Sequence, residues 1–467
     1  MSFLIVLAAL CFLMYVAYRG YSVILFAPIA ALGAVLLTDP QLVAPMFTGL
    51  FMDKMVGFLK LYFPVFLLGA VFGKLIEISG FSKSIVAATI RVVGAQRAML
   101  AIVLVCALLT YGGVSLFVVV FAVYPFAAEL FRQGDIPKRL IPGTIALGAF
   151  TFTMDALPGT PQIQNIIPTT FFKTDTWAAP WLGTLGGTFI LVLGMLYLDW
   201  RRRVALRNGE GYGDAATLLN EPAAFTGGKL ANPFIALLPL LLVGISNKLF
   251  TLLIPRVYGT SHEFIPAVIG SPAPVVQEVS KVAAIWAVQG ALLVGILCVI
   301  AFAWKPVVAS FAEGTKSAIG GSLLAAMNTA SEYGFGAVIA ALPGFLVVAN
   351  GLSAIPNPLV NEAITVSALA GITGSASGGM SIALAAMAET FIANAQAAGI
   401  PMEVLHRVAS MASGGMDTLP HNGAVITLLA VTGLTHRQAY KDIFAITLIK
   451  TAAVFFIIAV FYATGIV

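Results

Sequence analysis

The chain is 467 residues long, 60% hydrophobic and only 10% charged, with a net charge of +5. Soluble proteins carry about 25% charged residues, so a water-soluble enzyme of this size lacks the side chains to cover itself; the mean hydropathy of +0.98 agrees. Long apolar runs, rather than weak alternation, leave a polytopic all-α membrane protein and exclude a β-barrel.

Apolar runs fall at 3–18, 21–38, 59–78, 97–131, 140–171, 177–199, 232–254, 282–304, 317–341, 361–398, 403–433 and 442–464. The first has no basic lead or small-residue cleavage site and reads as a retained span. Runs 97–131 and 361–398 are too long for one helix and too short for two spans, which predicts re-entrant hairpins. Gly and Pro interrupt runs 140–171 and 403–433 at mid-membrane depth, which predicts broken helices. Irregular backbone there is tolerated only where protein or a watery cavity receives it. The hydrophilic segment 201–229 reads as a cytoplasmic linker between a first half, 1–200, and a second half, 230–467.

Basic residues orient the chain. With both termini outside, 18 of the 25 lysines and arginines, Lys450 among them, fall on or near the cytoplasmic side. Lys54, Lys60, Lys173, Lys248, Arg256, Lys281 and Arg407 fall outside. This one-sided distribution argues for an inner-membrane protein and against a nucleic-acid partner. The stretch from Ser317 to His406 holds no basic residue, so the second hairpin is expected to enter from the outer side. Cys11, Cys106 and Cys298 lie far apart in apolar runs, with no CxxC pair to suggest a metal site or a disulfide.

Short matches recur in order in the two halves. Gly112-Gly113-Val114-Ser115 recurs as Gly378-Gly379-Met380-Ser381, Ile136-Pro137 as Ile400-Pro401, and Met154-Asp155-Ala156-Leu157-Pro158 as Met416-Asp417-Thr418-Leu419-Pro420. The separations are 266, 264 and 262 residues. With five crossings and one hairpin in each half, the copies are expected to be inverted. Inverted repeats with broken helices in matching places point to a secondary transporter's binding site. A break leaves N–H groups for an anion at one half-helix start, and carbonyls for a hydroxyl or a coupling cation at the other half's end.

In the first break, a half-helix starting near Thr160-Pro161 would turn Thr160, Gln162 and Asn165 toward a ligand. The second break offers His421 and Asn422. The hairpin tips contribute Gly112, Gly113 and Ser115, and Gly374, Ser375, Ser377, Gly378, Gly379 and Ser381. Asp155 and Asp417 sit in matched places beside the breaks. Each is read as carrying a proton, coordinating a cation or hydrogen-bonding substrate hydroxyls, or as capping a half-helix, and one residue can serve both functions. His421 is a proton-coupling candidate by its ordinary titration range, or a fixed hydrogen-bond donor. Glu332 and Glu389 read as packing groups, and the Gly-Gly pairs also fit close helix packing.

The Gly112–Ser115 tip, Asp155-Ala-Leu-Pro-Gly-Thr-Pro161, Thr373-Gly-Ser-Ala-Ser377 and Asp417-Thr-Leu-Pro-His-Asn-Gly423 resemble the gluconate:proton symporter (gluconate permease) family of the ion transporter superfamily over essentially the whole chain. The resemblance implies a homodimer with scaffold and transport domains, elevator-type alternating access, and proton-driven uptake of gluconate or related hydroxy-acids. One departure is Ser377-Gly-Gly-Met-Ser381, where gluconate-type members carry a Thr-Val-Ala run. It looks more like the 3-hydroxybutyrate branch. The reading is therefore a symporter for a small hydroxymonocarboxylate with no cofactor, driven by protons or sodium. A gluconate-specific symporter and a passive anion channel are the alternatives. No enzyme is expected: His262-Glu263 lacks the second His of a zinc motif, and Gly374–Gly378 has Ala376 where a hydrolase would carry its nucleophile.

Overall fold

A computed structural model describes the chain except residues 1, 20, 95–96, 115, 214–217, 223–229, 266–273, 346, 348–350, 352–354 and 421. Two expected site residues, Ser115 and His421, therefore lie outside the described residues. The rest is almost wholly helical, as an apolar solvent requires, because a helix satisfies its own backbone.

The first half runs α1 (Ser2–Tyr18), α2 (Val23–Thr38), the long helical stretch α3 (Pro40–Ile78), α4 (Phe81–Val93), α5 (Ala98–Tyr111) and α6 (Leu116–Gln133). It continues with α7 (Ile141–Ala149), the single turn α8 (Phe152–Asp155), α9 (Ile163–Phe172) and α10 (Pro180–Arg207). Three results differ from the sequence reading. The run at 59–78 starts nineteen residues early because Asp53, Lys54 and Lys60 sit within the continuous helix α3, which includes a π-helical stretch, Phe47–Phe51. Helix α4 joined no apolar run; it is amphipathic and buries Phe81, Ile85 and Val86 while Arg91 stays outside the core. Helix α10 extends seven residues past the expected end of the half at 200.

The second half runs α11 (Pro233–Tyr258), a small antiparallel pair β1 (His262–Phe264) and β2 (Val275–Gln277), α12 (Val279–Phe302), α13 (Trp304–Ala340), α14 (Pro358–Thr373) and α15 (Ala376–Ala397). Then come α16 (Met402–Ser413), α17 (Gly423–Thr432) and α18 (His436–Thr464). Among the described residues, six helices are long and apolar enough to cross a bilayer: α3, α10, α11, α12, α15 and α18. Leu37, Leu241, Ile245 and Leu297 point outward from the packed interior, as lipid-facing side chains do.

Helices α5 and α6 pack together as one helical hairpin, and α14 and α15, joined by Gly374 and Ser375 alone, as another. At about 1.5 Å per residue, the 14 residues of α5 and the 16 of α14 fall short of a 30 Å core. Gly374 ends α14 at φ +65°, a left-handed turn that an ordinary side chain resists. Gly378 and Gly379 are not at the tip; they lie in the first turn of α15. The tip residue matching Gly112 is therefore Gly374, 262 residues on, and the Gly-Gly match at 266 pairs positions that differ in structure.

The helices form two packed groups. Helix α13 lies along α3 and α2, and α11 along α12, which also meets α3. The second group joins α5 to α7, α14 to α16, α9 to α16, and α18 to α10 and α7. Helix α15 bridges the groups, packing on α13 as well as on α14, α16 and α9. The described part of segment 201–229 is not a free linker. Arg139 donates to Glu210 at 2.5 and 2.7 Å; this hydrogen-bonded guanidinium holds the Glu210 carboxyl below the ordinary glutamate range. Glu221 pairs with Arg132 and Lys138, each at 2.7 Å. Asn220 donates to the Ala430 carbonyl at the end of α17. The segment thus straps α6, α7 and α17 together at one end.

Candidate functional site

Each interrupted run is held open by hydroxyls and amides that take over the carbonyls a continuous helix would satisfy. In the first break, Thr151 Oγ1 donates to Leu147 O at 2.6 Å, Thr153 Oγ1 to Gly148 O at 2.8 Å, and Thr160 Oγ1 to Thr153 O at 2.8 Å. Gly159 has φ +79°, and a Cβ there would overlap the Trp177 ring. Asn247 of α11 donates to the Gly159 carbonyl at 3.1 Å. The downstream half-helix starts at Ile163, not near Thr160-Pro161, with Gln162 in the N-cap position. Thr160 and Asn165 are fully buried and bond the protein itself. Asn165 Nδ2 donates to the Thr160 and Thr176 carbonyls at 3.0 and 2.8 Å.

The residues that open the two downstream half-helices also latch the hairpins. Gln162 donates through Nε2 to the Thr110 carbonyl in the first tip, at 2.7 Å. Asn422 caps α17 by accepting from Val425 N at 2.9 Å, and donates through Nδ2 to Gly374 O in the second tip, at 2.8 Å. The two latches are 260 residues apart, and each holds a tip to the break that follows it in the chain. Gln162→Ala should loosen the first tip by about 1 kcal/mol, an ordinary net hydrogen bond. Asn422→Ala should cost about 1–2 kcal/mol more because the cap goes too. Hydrogen exchange at 110–114 and 373–375 should rise in the corresponding variant alone; unchanged exchange in both would show the latches to be idle.

The glycines of the first tip and of the first turn of α15 face protein. A Cβ on Gly112 would overlap Leu240 of α11, and one on Gly113 would press on Pro161 and Leu292 at 3.2 and 3.3 Å. A Cβ on Gly378 would overlap the Glu332 carboxylate of α13, and one on Gly379 the Ala370 backbone of α14. Ser375 caps α15, accepting from Gly378 N at 3.0 Å. The half-buried Ser377 lies 3.3 Å from Thr329 of α13, and Ser381 is buried in the body of α15. The first turn of α17, by contrast, is open at Gly423, which has nothing within 4 Å of a built Cβ.

Four ionisable groups gather between the breaks. Asp417 pairs with Lys450 of α18, whose ammonium also donates to Phe150 O at the end of α7, at 3.2 Å. Arg407 of α16 donates to Ala178 O through Nη2 at 2.7 Å and Nε at 3.2 Å, and through Nη1 to Asp155 O and Asn165 Oδ1 at 3.0 Å each. All four are buried, and Lys450, Asp417 and Arg407 lie within electrostatic reach of the Asp155 carboxylate. Lys450 and Arg407 were expected at opposite membrane faces; both instead sit inside the protein, Lys450 paired with Asp417 and Arg407 bonded to the Asp155 main chain. His406, beside Arg407, is a further buried polar group that sequence reasoning missed. Its Nε2 faces Asn165 Oδ1 at 3.2 Å and its Nδ1 faces Thr174 Oγ1 at 2.6 Å. Because Asn165 Oδ1 accepts, a proton on Nε2 with the Thr174 hydroxyl donating to Nδ1 satisfies both contacts. Glu332 is buried as expected, but Glu389 is exposed.

Two cavities flank this assembly. One of about 540 Å³ lies between the first tip and α11, bounded by Tyr111, Gly112, Trp177, Leu240 and Lys248. The other, of about 420 Å³, lies between α3, α9 and α13 and includes Lys54, Lys60, Tyr62, Thr170 and Tyr333.

Paired helical hairpins latched to broken helices around buried charges, in a chain of apolar spans, define a multi-pass membrane transporter. The crystal structure of the YdaH transporter of Alcanivorax borkumensis has a similar fold, with a TM-score of 0.51 over 92% of this chain and 90% of that one, at 15% identity. The chain belongs to the family of the transporter YxjC of Bacillus subtilis (strain 168), with which it is 61% identical over 475 residues covering both chains in full. No family model matches the chain.

Proposed function

We propose that this transporter is a secondary active symporter that imports a small hydroxymonocarboxylate, 3-hydroxybutyrate-like or gluconate-like, by alternating access. The observation that carries this reading is the pair of latches, Gln162 on the first tip and Asn422 on the second. Each holds one tip to its own break, as a shared binding region between tip and break would require. The open first turn of α17 at Gly423 suits a carboxylate, since helix starts attract anions. Ser375 and Ser377, half-buried on the neighbouring tip, suit its hydroxyl. Lys54 and Lys60 line the second cavity and would draw an anion toward it.

The inverted repeat is supported by element lengths: α9 and α17 are ten residues each and start 260 residues apart. The ends of α6 and α15 also repeat the same turn. Gly134, Asp135 and Ile136 N–H bond Leu130, Arg132 and Phe131 carbonyls, as Ala398, Gly399 and Ile400 bond Asn394, Gln396 and Ala395. On this reading, α3 with α11–α13 is the scaffold, in a homodimer. The hairpins and breaks travel as an elevator, and a proton, or sodium, drives uptake.

Proteoliposomes holding the purified protein should accumulate labelled 3-hydroxybutyrate under an imposed inward proton gradient, with unlabelled gluconate as competitor. Failure to accumulate either acid under a pH gradient, a sodium gradient or a membrane potential would overturn the proposal. Competition by polyhydroxy-acids alone would move the substrate to the gluconate type.

A further inference from the structure

The two breaks are alike in chain geometry but not in charge. At the second, the Asp417 carboxylate and the Phe150 carbonyl at the end of α7 share a cation that the protein supplies, the Lys450 ammonium. At the first, the corresponding carboxylate is Asp155. It packs against Gly414, the C-cap of α16, so closely that a methyl at Gly414 would overlap its Oδ2; the Met411 carbonyl borders the same spot.

Apart from Asp155's own main-chain N–H, no described group is placed to donate to either carboxylate oxygen. Helix α10 stands beside this break as α18 stands beside the other, yet it carries no charged residue from Pro180 to Leu198. It approaches with Gly183, Gly186 and Gly187. The other charged groups facing Asp155 are Arg407, Lys450 and Asp417. The Arg407 nitrogens are committed to two main-chain carbonyls and Asn165, and Lys450 is committed to Asp417 and Phe150. Beyond that one N–H, a bare carboxylate against the carbonyl end of a helix meets further acceptors and a negative dipole.

We infer that Asp155 binds the transported proton against the C-terminal end of α16, in the role that the Lys450 ammonium plays permanently at Asp417. This rests on the symport reading above. It assigns the driving ion as a proton and its carrier as one of two sequence-matched aspartates. The proton enters as the break is sealed, letting Asp155 donate to a carbonyl at the end of α16. It leaves when the site opens to the cytoplasm and water can solvate the carboxylate. The close contact at Gly414 favours a proton over a metal ion, which needs a shell of oxygens.

Dicyclohexylcarbodiimide, which attacks protonated carboxyl groups in apolar surroundings, tests this on the full-length wild-type protein in liposomes without any substrate. Peptide mass spectrometry should find the adduct on Asp155 and not on Asp417 at pH 5.5. The yield should fall at least fivefold by pH 9, with sodium and potassium chloride giving the same result. Asp155→Asn should remove the adduct and lower pH-driven uptake at least tenfold. Absence of the adduct on Asp155, equal labelling of Asp417, or protection by sodium in place of pH overturns the inference, whether or not the variant folds. If the labelling behaves as stated but no hydroxy-acid accumulates, the symport reading fails and the protonation site stands.

Discussion

Lys450→Met should destabilise the folded protein by about 3–5 kcal/mol, the usual result of stripping one partner from a buried ion pair. Asp417 would be left charged, 4% exposed, and Phe150 O would lose its donor at the end of α7. The double variant Lys450→Met with Asp417→Asn should recover most of that loss, because a neutral amide no longer needs a cation and methionine fills the lysine stem's volume. Thermal unfolding of wild type, both single variants and the double in detergent would measure the coupling. A Lys450→Met protein as stable as wild type, or a double variant no better than the worse single, would show the pair to be incidental.

Arg407→Met is expected to be of similar size, about 3–5 kcal/mol, for a different reason. The lost group serves main chain rather than a carboxylate: the Asp155 and Ala178 carbonyls and the Asn165 side-chain oxygen all face inward. Arg407→Lys should rescue little, since an ammonium cannot span acceptors placed for a planar fork. Hydrogen exchange should therefore rise across 150–165 in both variants, and uptake should fall with it. A lysine variant that restores protection there would mean that charge alone, and not the fork geometry, holds the break.

These two side chains also show where the sequence stopped being informative. Apolar runs overlap the six long apolar helices, and Gly and Pro mark the interruptions near Asp155 and Asp417, because those signals arise from local backbone chemistry. Counting basic residues by membrane side assumes that each charge faces water, so Arg407 and Lys450 were assigned to faces that neither occupies. Only tertiary packing brings Lys450 to the Asp417 carboxylate and Arg407 to the Asp155 carbonyl. The polar residues of the first break illustrate the same limit. Thr160 and Asn165 have the composition of ligand-binding groups, yet the break consumes both in holding its own carbonyls. Gln162 and Asn422 stood out in sequence as polar groups beside the breaks, but their reach to the hairpin tips depends on a contact across 52 and 48 residues of chain. Helix α4 was missed because its apolar face is a stripe and not a run.

Both cations at this junction come from the second half: Arg407 keys into the end of α8, and Lys450 into the end of α7. The first half contributes the acceptors these two cations meet: the Phe150, Asp155 and Ala178 carbonyls and the Asn165 side-chain oxygen. Two copies of the first half could not rebuild it, since neither would bring a cation, and two copies of the second would bring an excess. If the chain descends from a duplicated unit, the halves have become complementary parts that fold against one another. Fragments separated within 214–217 would then be soluble in a membrane only as a pair, each supplying what the other leaves uncompensated.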